Sequence, residues 1–129
     1  MGIHVRLEVR AAGSRGRGVF ALTAIPAGTL IESADVIPVP RAEMEAIEAC
    51  ILADYYFRWG EDGREGAIAL GYGSLYNHSY QPNARYVKHF DRHSIDFIAL
   101  RDIAAGEEIR TNYNGVPDDR KKVWFEVDE

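Results

Sequence analysis

Two stretches of the chain repeat one another, and this limits the folds that the chain can adopt. The segments "FALTAIPAGTLI" at 20–31 and "IALRDIAAGEEI" at 98–109 carry the same residue at six of twelve positions. Gly28 and Gly106 hold the same place in the two copies, and glycine adopts the positive φ of a tight turn at little cost. A solenoid needs several short tandem copies, so two distant copies instead predict a duplicated strand–turn–strand unit inside one domain. Chance similarity between two β-hairpins is the alternative.

The length and composition of the chain are those of one folded domain. With 129 residues, 47% of them hydrophobic and 11% aromatic, the chain can build a single core. Cys50 is its sole cysteine, which excludes an internal disulfide and a zinc site built from cysteines. No apolar run approaches the ~20 residues of a membrane span, and the N-terminus "MGIHVRLEVR" alternates instead of forming a signal peptide's apolar block. We therefore expect a soluble, intracellular protein without a membrane partner, either a monomer or a homodimer.

The charge balance restricts the class of partner. Lys and Arg total 15 against 20 Asp and Glu, which gives a net charge of −5. Binding to a phosphate backbone depends on many cationic contacts, so we expect no direct binding to nucleic acid. A basic partner fits the charge better. The alternative is that a modest negative charge only keeps a small protein soluble.

Short alternating segments predict a mostly β protein. Ile3, Val5, Leu7 and Val9 alternate with polar residues, which is the pattern of a half-buried strand. Further strands are predicted at "GVFAL", "AIAL", "NARYVKHF" and "IDFIAL". The segment "WGEDGREG" carries three glycines and acidic turn formers, so it is predicted to be a loop.

One helix is predicted around residues 40–53. Pro40 suits a first helical turn, and Met44, Ile47 and Ile51 recur at helical spacing. The expected architecture is therefore a β domain with one inserted helix.

Three separated motifs are candidates for the functional site. Gly16 and Gly18 in "SRGRGVFA" allow a backbone to pass close to a ligand, and because no helix follows, this is not a dinucleotide-binding fingerprint. The triplet "NHS" at 77–79 follows the apolar tract "AIALGYGSLY", so its polar groups are predicted to be buried and to have a functional role. In the third motif, "GEEIRTNYN", Tyr113 is predicted to end a strand.

Taken together and in this order, these stretches resemble the SET-domain family of protein lysine methyltransferases. That family has a Gly-x-Gly and a strand, then Asn-His-Ser with Pro-Asn shortly after, then Gly-Glu-Glu-Leu leading to a tyrosine. The matching residues here are Gly16-Arg17-Gly18, Asn77-His78-Ser79 with Pro82-Asn83, and Gly106-Glu107-Glu108-Ile109 leading to Tyr113.

The likeness extends from about residue 5 to 115 and is greatest to the short stand-alone SET proteins of bacteria and viruses, which lack flanking zinc modules. It implies a mostly β SET-type β-clip fold with a threaded C-terminal segment. It also implies a SET domain at 1–115 and a short tail at 116–129 that packs as a lid over the cofactor.

The resemblance implies S-adenosylmethionine as cofactor. Asn77 would bind its amino acid part, and His78 would contact the adenine edge largely through its backbone. The backbone of Gly16, Arg17 and Gly18 would meet its amino and carboxylate groups. The buried polar groups would then be satisfied by a ligand buried with them.

The same resemblance makes Tyr113 the catalytic tyrosine and a contact of the cofactor. Tyr55, Tyr72 and Thr111 would line the substrate channel, with Thr111 standing where relatives usually carry Phe or Tyr. The alternative for Tyr55 and Tyr72 is that they are ordinary core aromatics.

Two features depart from the longer relatives. Tyr80 stands where many have a Cys, and the Cys-rich tail that joins that Cys in binding zinc is missing, so no zinc site is expected. Trp124 or Phe125 would instead cover the cofactor near its adenine, unless these aromatics simply pack on the core. His89 and His93 are four residues apart in a predicted hairpin, where this spacing does not converge on a metal.

The predicted function is S-adenosylmethionine-dependent protein lysine N-methylation of a Lys-containing basic protein or peptide, such as a histone tail. One alternative is a catalytically inert SET-fold module that binds protein or cofactor. The other is a nucleic-acid-binding β-domain, which the acidic balance disfavours.

Overall fold

The computed structural model describes residues 5–125, 127 and 129. In this part of the chain, nine short strands and one α-helix form the regular structure together with several single 3₁₀ turns. The strands are β1 (Leu7–Ala11), β2 (Arg17–Ala21), β3 (Leu30–Val39), β4 (Tyr56–Trp59), β5 (Glu65–Ala69), β6 (Asn77–His78), β7 (Ala84–His89), β8 (Ser94–Ala99) and β9 (Glu108–Thr111). The helix α1 spans Met44–Glu48. The 3₁₀ turns span Gly13–Arg15, Arg41–Glu43, Ile51–Asp54, Gly73–Leu75 and Phe90–Arg92.

The strands form two sheets. One has the order β1-β2-β9-β6, and the other has the order β4-β5-β3-β8-β7. Strands β6 and β9 run parallel, whereas the other pairs of neighbouring strands are antiparallel. The prediction of a mostly β fold with one inserted helix is confirmed.

Each copy of the internal repeat forms a corner that joins the two sheets. The first copy leads from β2 to β3, and the second leads from β8 to β9. Ile25 and Ile103 hold equivalent positions, and each donates its backbone N–H to the other's carbonyl at 2.8 Å. The turn glycines, both with positive φ, donate in the same reciprocal way: Gly28 to Ala99 at 2.8 Å and Gly106 to Ala21 at 2.7 Å. The two copies therefore form equivalent strand–turn–strand units, as predicted, although the strands of each copy lie in different sheets and form no hairpin.

Buried apolar side chains from both sheets form one core. Val19 on β2, Ile109 on β9, and Ile95 and Phe97 on β8 are completely buried. The ring of Phe97 packs against the ring of Tyr76, with 4.5 Å between centroids. The core therefore directly supports the segment that leads into β6.

The helix lies inside the predicted range 40–53 but is much shorter. It has five residues, and Cys50 adopts an extended conformation (φ −135°, ψ −176°) that interrupts it. Of its apolar stripe, Met44 is buried, whereas Ile51 is 73% exposed. Helical spacing located the element correctly, but a stripe that is mostly unburied does not hold the chain in an α-helix for its full length.

Other boundaries also differ from the sequence prediction. Strand β1 begins at Leu7, and the predicted strand position Ile3 lies outside the described residues. Strand β4 was not predicted, because its last residue, Trp59, was assigned to the following loop. Throughout the described residues, none of the helices has the length and apolar character needed to cross a membrane.

Candidate active site

The Asn-His motif forms the two-residue strand β6, which pairs in parallel with β9. The apolar tract before it passes through the core, where Tyr76 is 2% exposed, and so carries the motif inside. His78 and Ser79 are almost fully buried, and Asn77 is half-buried. The burial predicted for this triplet is therefore confirmed for two residues and partial for the third.

Tyr113 lies beside β6 and is held there by two hydrogen bonds. Its hydroxyl donates to the carbonyl of Tyr76 at 2.6 Å, and its backbone N–H donates to Nδ1 of His78 at 2.9 Å. Strand β9 ends at Thr111, so Tyr113 belongs to the following turn and not to the strand end predicted from sequence. The turn brings both ends of Tyr113 against the segment 76–78.

One ring nitrogen of His78 has no hydrogen-bond partner in the part of the chain that the structure describes. Nδ1 accepts the Tyr113 N–H, so the hydrogen of the neutral ring lies on Nε2. Nε2 is buried and has no hydrogen-bond partner among the described residues. Burial lowers the pKa of His78; the charge of Glu129 opposes this effect and that of Arg110 reinforces it. A neutral, buried donor without a partner marks a place where an acceptor on a ligand can bind.

Acidification should destabilise the protein through His78. Because its pKa is lower in the folded chain, the unfolded chain binds more protons just below the ordinary value of about 6.5, so this stability is present above that pH and is lost below it. As the pH is lowered from about one unit above this value to about one unit below it, the urea concentration at the unfolding midpoint should decrease. The decrease should be smaller in His78→Gln. An equal fall in both proteins would contradict this assignment.

The Gly16–Gly18 loop packs against Asn77. The amide nitrogen of Asn77 donates to the Arg17 carbonyl at 3.0 Å and to the Glu108 carboxylate at 2.7 Å. Gly16 has a φ of 80°, and a Cβ on Gly18 would overlap the Glu108 carboxylate and lie 2.8 Å from the Asn77 amide nitrogen. The loop thus reaches the motif through backbone alone, and its contact with a cofactor stays a prediction.

A groove of about 910 Å³ opens beside Tyr113. Its aromatic lining residues are Tyr55, Tyr56, Phe57, Tyr76, Tyr86, Tyr113 and Trp124. Of the three predicted channel residues, Tyr55 lines the groove. Tyr72 packs on the core and Thr111 is buried in β9, so neither is among the lining residues. The channel roles of all three stay predictions.

The tail folds back onto Tyr113. The ring of Trp124 stacks on that of Tyr113, with 5.8 Å between centroids and 22° between planes, and its Nε1 donates to Asp54 at 3.3 Å. The ring of Phe125 contacts the rings of Tyr113 and His78 edge-on. Both aromatics suggested as a lid therefore lie at the site. The role of the tail in covering a cofactor stays a prediction, and positions 126 and 128 lie outside the described residues.

Comparison with known proteins identifies the family. The family model described as SET domain matches residues 16–114. The chain belongs to the SET-domain family. A histone-lysine N-methyltransferase of Schizosaccharomyces pombe, specific for lysine 37 of histone H3, is 37% identical over 121 residues, which cover 93% of this chain and 77% of that protein. The crystal structure of a candidate histone methyltransferase of Plasmodium falciparum matches with a TM-score of 0.64 and 27% identity, covering 86% of this chain and 95% of that one.

Membership of this family assigns the class of enzyme. SET domains are protein lysine methyltransferases that use S-adenosylmethionine, so this chain is a lysine methyltransferase with a SET-type β fold. Neither relative favours the inert module. Both are eukaryotic, and the likeness to short bacterial or viral SET proteins stays a prediction. Within residues 5–125, 127 and 129, no cluster of His, Cys, Asp or Glu could hold a metal ion.

Tyr113 of this SET domain stays protonated. Burial raises the pKa of Tyr113 well above its ordinary value, and the nearby Tyr55, Tyr86 and Glu108 raise it further. Burial also raises the pKa of Tyr86 to about 12. A neutral phenol cannot take the proton of a lysine ammonium at physiological pH, so Tyr113 can orient reacting groups but cannot act as their general base.

Sequence reasoning missed two parts of this SET site. Arg15, next to the glycine loop, donates to the Glu108 carboxylate at 2.9 Å. The second glutamate of "GEEI" was the sequence feature that could have indicated this ion pair. Asn112 and Asn114 flank Tyr113 and hold the backbone of the tail with their side-chain amides: Asn112 donates to the carbonyl of Asp119 and Asn114 to that of Lys121, both at 2.6 Å. Polar residues on both sides of the tyrosine were the signal here.

Proposed function

We propose that this SET domain transfers a methyl group from S-adenosylmethionine to a lysine of a basic protein, with histone tails as the substrate class. The position of Tyr113 supports this most, because its hydroxyl lies where the aromatic groove meets the Asn77–His78 strand. The fungal relative is specific for a lysine of histone H3, and a basic tail complements the net charge of −5. Such substrates also agree with an intracellular protein that has access to the nucleus.

The residues around β6 fit the proposed cofactor. The Nε2 of His78, which has no hydrogen-bond partner among the described residues, offers a buried donor, and the side-chain oxygen of Asn77 and the backbone of the 16–18 loop offer polar groups for an amino acid moiety. The carbonyl of His78 already accepts two N–H bonds from Arg110, at 3.0 and 2.6 Å, so we assign the contact with the cofactor to the ring nitrogen in place of that carbonyl. When bound, the cofactor supplies a sulfonium methyl group as the electrophile.

The groove favours a neutral amine, which is the form of lysine that accepts a methyl group. A free lysine has a pKa of about 10.4, so neutralising it at pH 7 costs roughly 4–5 kcal/mol. Lys88 lines the same groove, and burial, reinforced by the charge of Arg58, lowers the pKa of its amine. We expect the same desolvation to act on a substrate lysine that enters the groove.

Tyr113 would position the amine and not activate it chemically. Its hydroxyl hydrogen is engaged with the Tyr76 carbonyl, which leaves the oxygen able to accept a hydrogen bond from the amine. A fixed acceptor holds the lone pair in line with the methyl group, and alignment of two reactants contributes strongly to rate. The displaced proton would leave to solvent.

The decisive experiment combines the protein, labelled S-adenosylmethionine, separate histones and cell lysate, followed by mass spectrometry to locate the label. We expect mono- or higher methylation of a lysine in a basic segment. Cofactor binding without any transfer would support the inert module in place of the enzyme. A salt-dependent shift in the electrophoretic mobility of DNA, without methyl transfer, would support a nucleic-acid-binding domain in place of the enzyme.

S-adenosylmethionine should raise the melting temperature, because a ligand that binds only the folded state stabilises it by mass action. Asn77→Ala should reduce this shift several-fold, since it removes an amide at the proposed cofactor surface. Glu43→Ala, at an exposed position, is the control and should keep the full shift. Equal shifts in both variants would remove Asn77 from the binding site.

A further inference from the structure

The lysines of this chain are few and all lie in one place. The sequence contains twelve arginines but only three lysines, Lys88, Lys121 and Lys122. All three line the groove that contains Tyr113. The groove proposed to receive a substrate lysine is therefore already lined by every lysine that the chain has.

The two tail lysines are held close to Tyr113 by backbone contacts and leave their side chains exposed. The carbonyl of Lys121 accepts from the side chain of Asn114, the residue next to Tyr113, at 2.6 Å. Beyond the lysines, Trp124 stacks on the Tyr113 ring. The segment between the Asn114 and Trp124 contacts is short and lies outside any strand. Its two lysines carry flexible four-carbon side chains.

Lys88 is placed differently. Its backbone lies in β7, in the five-stranded sheet, and its ammonium donates to the Arg58 carbonyl at 2.7 Å. Its place in a paired strand fixes the sheet face on which its side chain lies, and its ammonium is already engaged by that carbonyl. Lys88 is therefore an internal control that shares the groove with the tail lysines but not their freedom.

We propose that Lys121 and Lys122 are methylation sites of the enzyme itself. The inference rests on the proposed function. Tethering raises the effective concentration of a group near its site to the millimolar range for short flexible linkers, so these amines compete with any external substrate. In the reaction, the lone pair of the neutral lysine Nζ forms a bond to the methyl carbon of S-adenosylmethionine. The carbon–sulfur bond breaks, its electron pair stays on sulfur in S-adenosylhomocysteine, and the amine releases a proton to solvent.

Peptide mapping by mass spectrometry of the full chain, incubated with S-adenosylmethionine and an external histone, tests the proposal. We expect methyl groups on Lys121, Lys122 or both, none on Lys88, and loss of the signal in Tyr113→Phe. Lys121→Arg combined with Lys122→Arg should abolish the modification while retaining the charge. An initial rate per molecule that does not change on dilution would show transfer within one chain.

The outcomes separate this inference from the proposed function. A methylated histone with an unmodified tail would overturn the inference and leave the proposed function intact. Absence of methyl groups on both would overturn the two together. Equal modification of all three lysines would overturn the special role of the tail.

A cofactor-free measurement tests the shared groove independently. An amine-reactive reagent should label Lys121 and Lys122, and a saturating histone peptide should reduce this labelling several-fold because it occupies the same groove. The N-terminal amine serves as the reference. Unchanged labelling of the tail lysines in the presence of bound peptide would count against the proposal.

Discussion

Tyr113→Phe should lower kcat by about 10²–10³-fold, which is the usual cost of removing one fixed hydrogen-bonding group at a reacting centre. The change removes the hydroxyl oxygen that we propose orients the amine, and little volume is lost. It also leaves the Tyr76 carbonyl without this donor, at a net cost to stability of about 1 kcal/mol. Turnover of a histone substrate and urea unfolding of the same preparation check the two effects separately.

Tyr86→Phe is the matched control for this prediction. It deletes the same atom from another tyrosine of the groove, whose hydroxyl donates to the Tyr113 carbonyl at 3.3 Å. We expect a much smaller loss of kcat, because this hydroxyl points at backbone. If Tyr113→Phe were as active as Tyr86→Phe, Tyr113 would have no catalytic role.

The wild-type rate should also rise with pH. Below the pKa of the substrate lysine, each pH unit increases the neutral fraction about tenfold, and the raised pKa of Tyr113 keeps its phenol protonated over the same range.

Phe97→Ala should destabilise the protein by about 3–5 kcal/mol, the range typical of a buried Phe reduced to Ala. Its ring is completely buried and contacts the rings of Phe57, Tyr76 and Tyr86. All three of these partners also line the groove beside Tyr113, so the cavity would loosen the site as well as the core. Since small domains are stable by only about 5–15 kcal/mol, much of the total would be lost. Urea unfolding measures the effect.

Phe90→Ala provides a control with the same side-chain truncation at a position that is 39% exposed. Its ring contacts Trp59 alone among the aromatics of the described residues, so we expect a loss of about 1 kcal/mol. Equal losses in the two variants would mean that the aromatic cluster around Phe97 is not the centre of the core.

Much of the site could be predicted because each of its parts is encoded by a short, continuous stretch of sequence. The glycine pair, the Asn-His motif and Tyr113 are each specified by a few adjacent residues, and the motif order indicated that they meet. The duplicated turn was visible for the same reason, since Gly28 and Gly106 both need positive φ.

The remaining features depend on distant contacts. The length of α1 was overestimated because burial of its apolar stripe depends on contacts with residues distant in sequence. The side chain of Ile51 is exposed and makes no such contribution. Tyr72 and Thr111 do not line the groove, and their channel roles stay predictions, because strand register and core packing, which no short motif encodes, decide which side chains face it. The amides of Asn112 and Asn114 were missed because their acceptors are carbonyls of an irregular tail.

The reciprocal corners also determine when the molecule can assemble. The hydrogen bonds that join the two corners, such as those between Ile25 and Ile103, cannot form until residues 98–109 have been synthesised. Strand β2 can pair with β1 early, but its pairing with β9 on the other edge must wait, and contacts this remote in sequence form slowly. The last pairing to become available also brings β6 and Tyr113 together. A nascent or truncated chain that stops before β9 should therefore lack a stable fold and a complete cofactor surface, and competence for methyl transfer should arise in one step with completion of folding.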